Sequence, residues 1–186
     1  MKSVLISIQP KWCELIANGK KTVEVRKTNP KCETPFKAYI YCTSSNVHEC
    51  LMQNESGVKL IYAINYKTAI PCGGHIANGK VIGEFVCDSI DEFSVPYPAY
   101  FHEVDYITRK LIENACLKPI DIHGYNGTHQ TYAWHISDLV IYDKPKELSE
   151  FKRFVDRSKG QRYHEDMLYL QRPPQSWCYV EERSNP

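Results

Sequence analysis

The chain has 186 residues, 42% of them hydrophobic and 24% charged, with a formal net charge of +1. These are ordinary values for a globular protein, at a length that allows a useful core. No run of about 18 apolar residues occurs, so no membrane span is predicted. The apolar N-terminal run ends at Pro10, too soon for a secretory signal, so a cytoplasmic protein with no membrane partner is expected.

"SVLISI" reads as a buried strand over 3–8, and Pro10 suits the first turn of a helix. Trp12, Leu15 and Ile16 follow helical spacing, and Gly19 suits the position just past the helix end. "KTVEVRK" alternates, with Val23 and Val25 on one face and Thr22, Glu24 and Arg26 on the other. That pattern is a half-buried strand whose polar face can line a cavity. A further strand is predicted over 36–43, and "KLIYAIN" is a candidate strand in the less readable stretch 44–79. Asn78-Gly79 is a turn signal, followed by a strand over 80–90. "EVDYITRKLIENAC" reads as an amphipathic helix with Val104, Ile107, Leu111 and Ile112 on its apolar face. A strand is expected over about 134–142, stopped by Pro145, then a short helix in "KELSEFKRFVD" and a terminal strand in "RPPQSWCYVEE". Strands outnumber helices and mostly follow one another, which predicts an α+β domain on a small mixed or antiparallel sheet or barrel.

The charge is uneven. Residues 1–40 hold eight Lys/Arg against three Asp/Glu, and residues 84–121 hold three against eight. Either the two segments neutralise each other across the fold, or the first supplies a basic face that attracts phosphates. The eight cysteines, at 13, 32, 42, 50, 72, 87, 116 and 178, show no C-x-x-C spacing, and several sit in apolar runs. Reduced thiols acting as small hydrophobes are expected. "CGGH", from Cys72 to His75, has a C-x-x-H look but no second ligand pair, so no zinc site is expected. No cofactor is expected and no metal site is assigned, while carboxylates from distant segments leave another metal open.

The blocks "SIQPKWCELIANGKKTVEVRK", "GKVIGEFVCDSI", "YAWHISDLVIYDKPKEL" and "RPPQSWCYVEE" stand in an order that resembles the ASCH domain family. In that family a strand leads to a Pro-x-Trp helix, a Gly-x-Lys-Thr turn and a Glu-x-Arg strand. The blocks cover about half of the chain and are similar to small ASCH proteins of bacteria and phages. The resemblance implies a PUA-like β-barrel with flanking helices. It also implies one domain over 1–186, with a variable insertion at about 44–79 and an extension at about 143–186. ASCH domains look like RNA-binding modules with a cleft beside the Gly-x-Lys loop. Some small relatives are enzymes, one an amidohydrolase acting on N4-acetylcytidine and another a metal-assisted ribonuclease. RNA or a nucleotide is the expected partner.

On the sequence alone, Lys21 reads as a solvated lysine at a loop. The resemblance reverses that preference, because Lys21 occupies the motif's lysine position and neighbours Lys20 and Thr22. Glu24 and Arg26 either pair with each other or form a site, with Glu24 on a base amino group and Arg26 on phosphate or orienting Glu24. Lys21 and Glu24 are the catalytic candidates if the protein is a hydrolase acting on a modified base or on RNA. The sequence departs from the amidohydrolase pattern here, since Glu24 stands where that pattern has its nucleophilic threonine. The distant glutamate of that pattern finds only Glu103 as a guess. Trp12, Tyr132, Trp134 and Trp177 are candidates for base stacking, although Trp12 falls on the helix's apolar stripe and reads mainly as core. His135 is a donor or acid–base candidate that reads more readily as structural. Gln175 and Ser176 are candidates for a base edge, and the basic run "KRFVDRSKGQR" for further RNA contact. A third reading is a protein-interaction module.

Overall fold

A computed structural model describes residues 2–44, 49–55, 58–64, 74–156, 158 and 164–183 of the chain. The strands are β1 (Lys2–Ile8), β2 (Val23–Arg26), β3 (Phe36–Cys42), β4 (Glu49–Glu55), β5 (Val58–Ile64) and β6 (His75–Ile76). They continue with β7 (Lys80–Cys87), β8 (Ile90–Phe93), β9 (Thr131–His135), β10 (Ser137–Glu147) and β11 (Trp177–Glu181). The α-helices are α1 (Pro10–Ala17), α2 (Tyr106–Asn114) and α3 (Pro119–Asn126).

The protein is a mixed α+β structure. Its main sheet has the order β10-β7-β3-β1-β11, parallel only between β1 and β3. A second sheet, β2-β9-β8, is antiparallel, and β5-β4-β6 forms a third. Among the described residues these sheets remain open, and no ladder closes a barrel.

β1 reads as an unbroken apolar run because both of its faces are covered. Val4, Ile6 and Ile8 join Cys13 and Ile16 of α1, Phe36, Ile40, Phe85 and Trp134 in one core. Leu5 points the other way, with Tyr39, Val81, Leu148, Phe151 and Leu170. A third cluster seats α2 and α3 on the second sheet through Leu111, Ile112 and Ile122, against Val23, Val25 and Ala133. Cys13, Cys42 and Cys87 are buried and carry reduced thiols, and burial pushes the Cys87 thiol up to about 12, with Asp88 adding to it. The side chains of Cys50 and Cys72 lie outside the described residues, and of "CGGH" only Gly74 and His75 are described.

The structure corrects several expectations. β10 does not stop at Pro145 but runs to Glu147, with a register shift between Ile141 and Lys146. The proline therefore falls outside the paired positions, where its missing N–H costs nothing. Gly83 makes the crossing possible, because a Cβ there would collide with the Val140 carbonyl. The expected helix at "KELSEFKRFVD" is one 3-10 turn, Leu148–Glu150, followed by extended chain whose Lys152 and Arg153 bridge Tyr169 and Val180. The strand over 80–90 divides into β7 and β8, and the strand near 134–142 divides into β9 and β10.

Candidate functional site

α1 begins at Pro10 with Trp12 and Cys13 closing onto the Gln9 carbonyl, and just past its end at Ala17 comes Gly19, whose φ is +68°. That left-handed residue suits glycine. It turns the chain so that the Lys20 and Lys21 amides both reach the Leu15 carbonyl. Lys21 then turns inward and is only 3% exposed. Its ammonium donates to the Ala115 carbonyl at the end of α2, at 2.8 Å.

β2 sends Val23 and Val25 into the core beneath α2 and α3. Glu24 and Arg26 take the opposite face. Glu24 is 5% exposed, with Lys21 Nζ 3.4 Å from one carboxylate oxygen and Arg26 3.1 Å from the other. Arg26 also donates to the Ser7 carbonyl on β1 at 2.6 Å. Lys21 and Arg26 thus compensate the buried carboxylate, as a charge out of water requires. The compensation is incomplete: Glu24 Oε2 accepts no hydrogen bond, and Arg26 Nε donates none. Buried polar atoms without partners are uncommon enough to need a cause.

Beside them lies a cleft of about 1060 Å³ whose lining includes Lys21, Glu24 and Arg26. One wall is the start of α1, with Trp12 carrying Lys11 Nζ 4.2 Å and Lys21 Nζ 5.2 Å from its ring centre. The other is α3 and the loop before it, where Tyr125 lies under Lys27 Nζ at 4.6 Å. Gln175 and Ser176 close one side, held to β1 by the Ser7 amide on the Ser176 carbonyl (2.8 Å) and the Ser7 hydroxyl on the Pro174 carbonyl (2.7 Å). Among the described residues, Lys11, Lys21, Arg26, Lys27 and Lys118 line the cleft against two acids, Glu24 and Asp121. Asp121 is engaged in capping α3, accepting from the Lys118 amide at 2.8 Å.

Of the residues singled out in the sequence, Trp12, Lys21, Glu24, Arg26, Gln175 and Ser176 meet at this cleft. The others lie elsewhere. Thr22 precedes β2 with an exposed side chain, its amide on the Asn114 carbonyl, and Lys20 faces solvent. Trp134 is fully buried, edge-on to Phe36 and beside Trp177. Trp177 uses its indole N–H on the Thr28 hydroxyl, at 3.0 Å, and so supports a cleft residue without lining the cleft. Tyr132 packs partly buried against the main core. His135 sits 2.7 Å from Asp91. Glu103 is exposed beside His102 and lies away from the cleft. In the basic run, Lys152 pairs with Glu165 and covers the Tyr169 ring, while 157 and 159–163 lie outside the described residues.

Lys27, Lys118, Cys116 and Tyr125 line the cleft without having been singled out. The second wall had a readable signal in Pro119 followed by Asp121, a proline and an acid in a first helical turn. Among the described residues no group of three or more His, Cys, Asp or Glu is placed to hold a metal ion, and no helix is long and apolar enough to cross a membrane.

Comparison with known proteins agrees with this architecture. The sequence profile of the ASCH domain matches residues 6–115. An ASCH crystal structure from Zymomonas mobilis superposes with a TM-score of 0.54 at 18% identity, covering 97% of this chain and 88% of its own. The structure of a point mutant of that Zymomonas mobilis protein gives 0.52 at 18% identity, covering 98% and 92%. No curated protein matches the sequence.

Proposed function

From the premise that this chain belongs to the ASCH domain family, we propose that it binds RNA or a nucleotide in the cleft beside the Gly19 turn. One observation carries the reading: a nearly buried carboxylate, Glu24, keeps an oxygen without a hydrogen-bond donor at the floor of a cleft whose other charged groups are mostly cations. A base amino group satisfies that oxygen, and phosphates satisfy the cations. Lys21 and Arg26 are already engaged with Glu24 and with backbone carbonyls. Their part is therefore to hold Glu24 in position, and the phosphate contacts pass to Lys11, Lys27 and Lys118. Trp12 supplies a stacking face. In the same reading the first two sheets are parts of an opened PUA-like barrel within one domain, carrying an insertion at about 44–79 and an extension at about 143–186.

The test is fluorescence anisotropy of a short labelled single-stranded RNA across a salt series, with Glu24→Gln alongside. Binding at micromolar protein that weakens with added salt and with the substitution supports the reading. Absence of binding to RNA, DNA and nucleosides overturns it and leaves a protein-interaction module.

A second reading has its own support. Lys21 Nζ lies 3.4 Å from the same unpartnered Glu24 oxygen. A carboxylate so placed can take a proton from water, which is the general-base step of a hydrolase acting on a modified base or on RNA. Product formation that vanishes in both Lys21→Ala and Glu24→Gln would establish it, and intact substrate after prolonged incubation with wild type would exclude it.

A further inference from the structure

The cleft is larger than one base requires. Its volume of about 1060 Å³ just exceeds the roughly 300–1,000 Å³ that holds a drug-sized ligand. The Glu24 floor accounts for one end of it. The α3 wall offers a second, separate surface in Tyr125, a residue 40% exposed with Lys27 Nζ 4.6 Å from its ring centre.

This ring stands on a fixed support. Ile122, three residues earlier on α3, is buried in the cluster beneath β2. The helix start is capped by Asp121, and its last residue, Asn126, donates to the Gln130 carbonyl at 2.9 Å. Tyr97, Tyr100 and Tyr106 are more exposed still, and what sets Tyr125 apart is that it lines the cleft with a lysine over its ring. A lysine over its face keeps an ammonium ready beside whatever lies on the ring.

We propose that the cleft takes two consecutive nucleotides of a single strand. One base lies on the floor against Glu24, its neighbour stacks on Tyr125, and the phosphate between them is met by Lys27 and Lys118. The substrate class is thus an oligonucleotide, not a free nucleoside. This rests on the nucleotide-binding reading of the cleft, since Glu24 holds the first base.

Calorimetric titration separates the two claims. The probes are the four ribonucleoside 5′-monophosphates and the four matching homodinucleotides, each on wild type, Tyr125→Ala and Tyr125→Phe. On wild type the best dinucleotide should bind roughly tenfold tighter than its mononucleotide, as expected for one added base stack. That ratio should fall to about one in Tyr125→Ala and persist in Tyr125→Phe, which keeps the ring. Equal affinities for mononucleotide and dinucleotide on wild type, or a ratio undiminished in Tyr125→Ala, overturns the two-nucleotide proposal and leaves the floor reading standing. Failure of every probe to bind overturns both.

Discussion

Glu24 and Glu84 each lie on a strand, nearly buried, with a lysine ammonium within reach, and the protein completes one site and leaves the other open. Glu84 on β7 accepts from Lys37 at 2.8 Å on one oxygen and from the Tyr142 hydroxyl at 2.5 Å on the other. Glu24 has a cation near each oxygen, yet one oxygen accepts no hydrogen bond, and the group opens on a cleft. Glu84 lies on the main sheet, where its partner Lys37 stands 3.9 Å from Glu182. Burial alone would raise its carboxyl. The hydrogen bonds from Lys37 and Tyr142, with the Lys37 and Lys146 charges, outweigh burial and hold it below the usual carboxylate range. Burial and the Glu84 charge together push the Tyr142 hydroxyl well above an ordinary phenol. A satisfied network of this kind fixes structure. An unsatisfied one facing a cavity fits a site whose last partner is a ligand.

Breaking the completed site should give the largest effect. Glu84→Ala strands Lys37 and Tyr142 together, and it should cost about 2 kcal/mol of unfolding free energy, the scale for leaving buried polar groups without partners. For a chain of this length that is a fall of roughly 4–8 °C in Tm. RNA affinity of the folded variant should match wild type. Equal losses of stability in Glu84→Ala and Glu24→Ala, with no loss of binding in the latter, would erase the distinction between the sites.

Next in size is the open site. Glu24→Gln keeps the shape but removes the charge, and it should weaken RNA binding by about tenfold, near 1.4 kcal/mol. At one free RNA concentration well above both dissociation constants, the Tm of wild type should rise more than that of the variant, because ligand stabilisation grows with the logarithm of affinity. Measuring both shifts by scanning calorimetry separates a binding defect from a folding defect.

The contrast between the two glutamates was only half readable in the sequence. The strand and helix order around Glu24 followed from Pro10, Gly19 and the alternation of Val23 and Val25, because these are local constraints on backbone and face. Glu84 stood inside an apolar strand with no mark of its role, since its partners Lys37 and Tyr142 come from separate strands 47 and 58 positions away. The Ala115 and Ser7 carbonyls that engage Lys21 and Arg26 were equally hidden, because a backbone acceptor leaves no trace in residue identity. Trp134 was ambiguous for a related reason: an aromatic beside a histidine on a strand suits a stacking face or a core equally, and its packing against Phe36 and Trp177 is not written in the local sequence.

Acid should separate the two sites more gently. The Glu84 carboxyl is depressed in the folded state, so the stability it contributes is present above its unfolded value and is lost as pH falls through the folded one. The window therefore opens near pH ~4.3, the ordinary glutamate value, and extends below it. Glu84→Gln should flatten the fall of stability in that window, measured by urea unfolding at stepped pH. At the alkaline end the sign reverses. The Lys37 and Tyr142 values are both raised, so their contribution is held below their unfolded values and lost as pH rises past them. A variant with an unchanged slope at acid pH would show that the Glu84 network does not drive acid sensitivity.

The smallest effect belongs to the rim of the open site. Lys27 stands at the cleft with its ammonium over Tyr125, and its nearest aromatic partner cannot neutralise it. If it meets one phosphate, Lys27→Ala removes one released counterion, and the slope of log K against log salt should fall by about 0.7, the single-strand value per phosphate. Affinity at low salt should fall several-fold and the difference should fade as salt rises, because the lost interaction is the screened one. Lys37→Ala, the corresponding cation of the completed site, should leave the salt slope untouched while lowering stability, since its charge is committed to Glu84. Identical salt slopes in wild type and Lys27→Ala would remove this lysine from the phosphate path, and a slope changed by Lys37→Ala would move the nucleic-acid surface onto the main sheet.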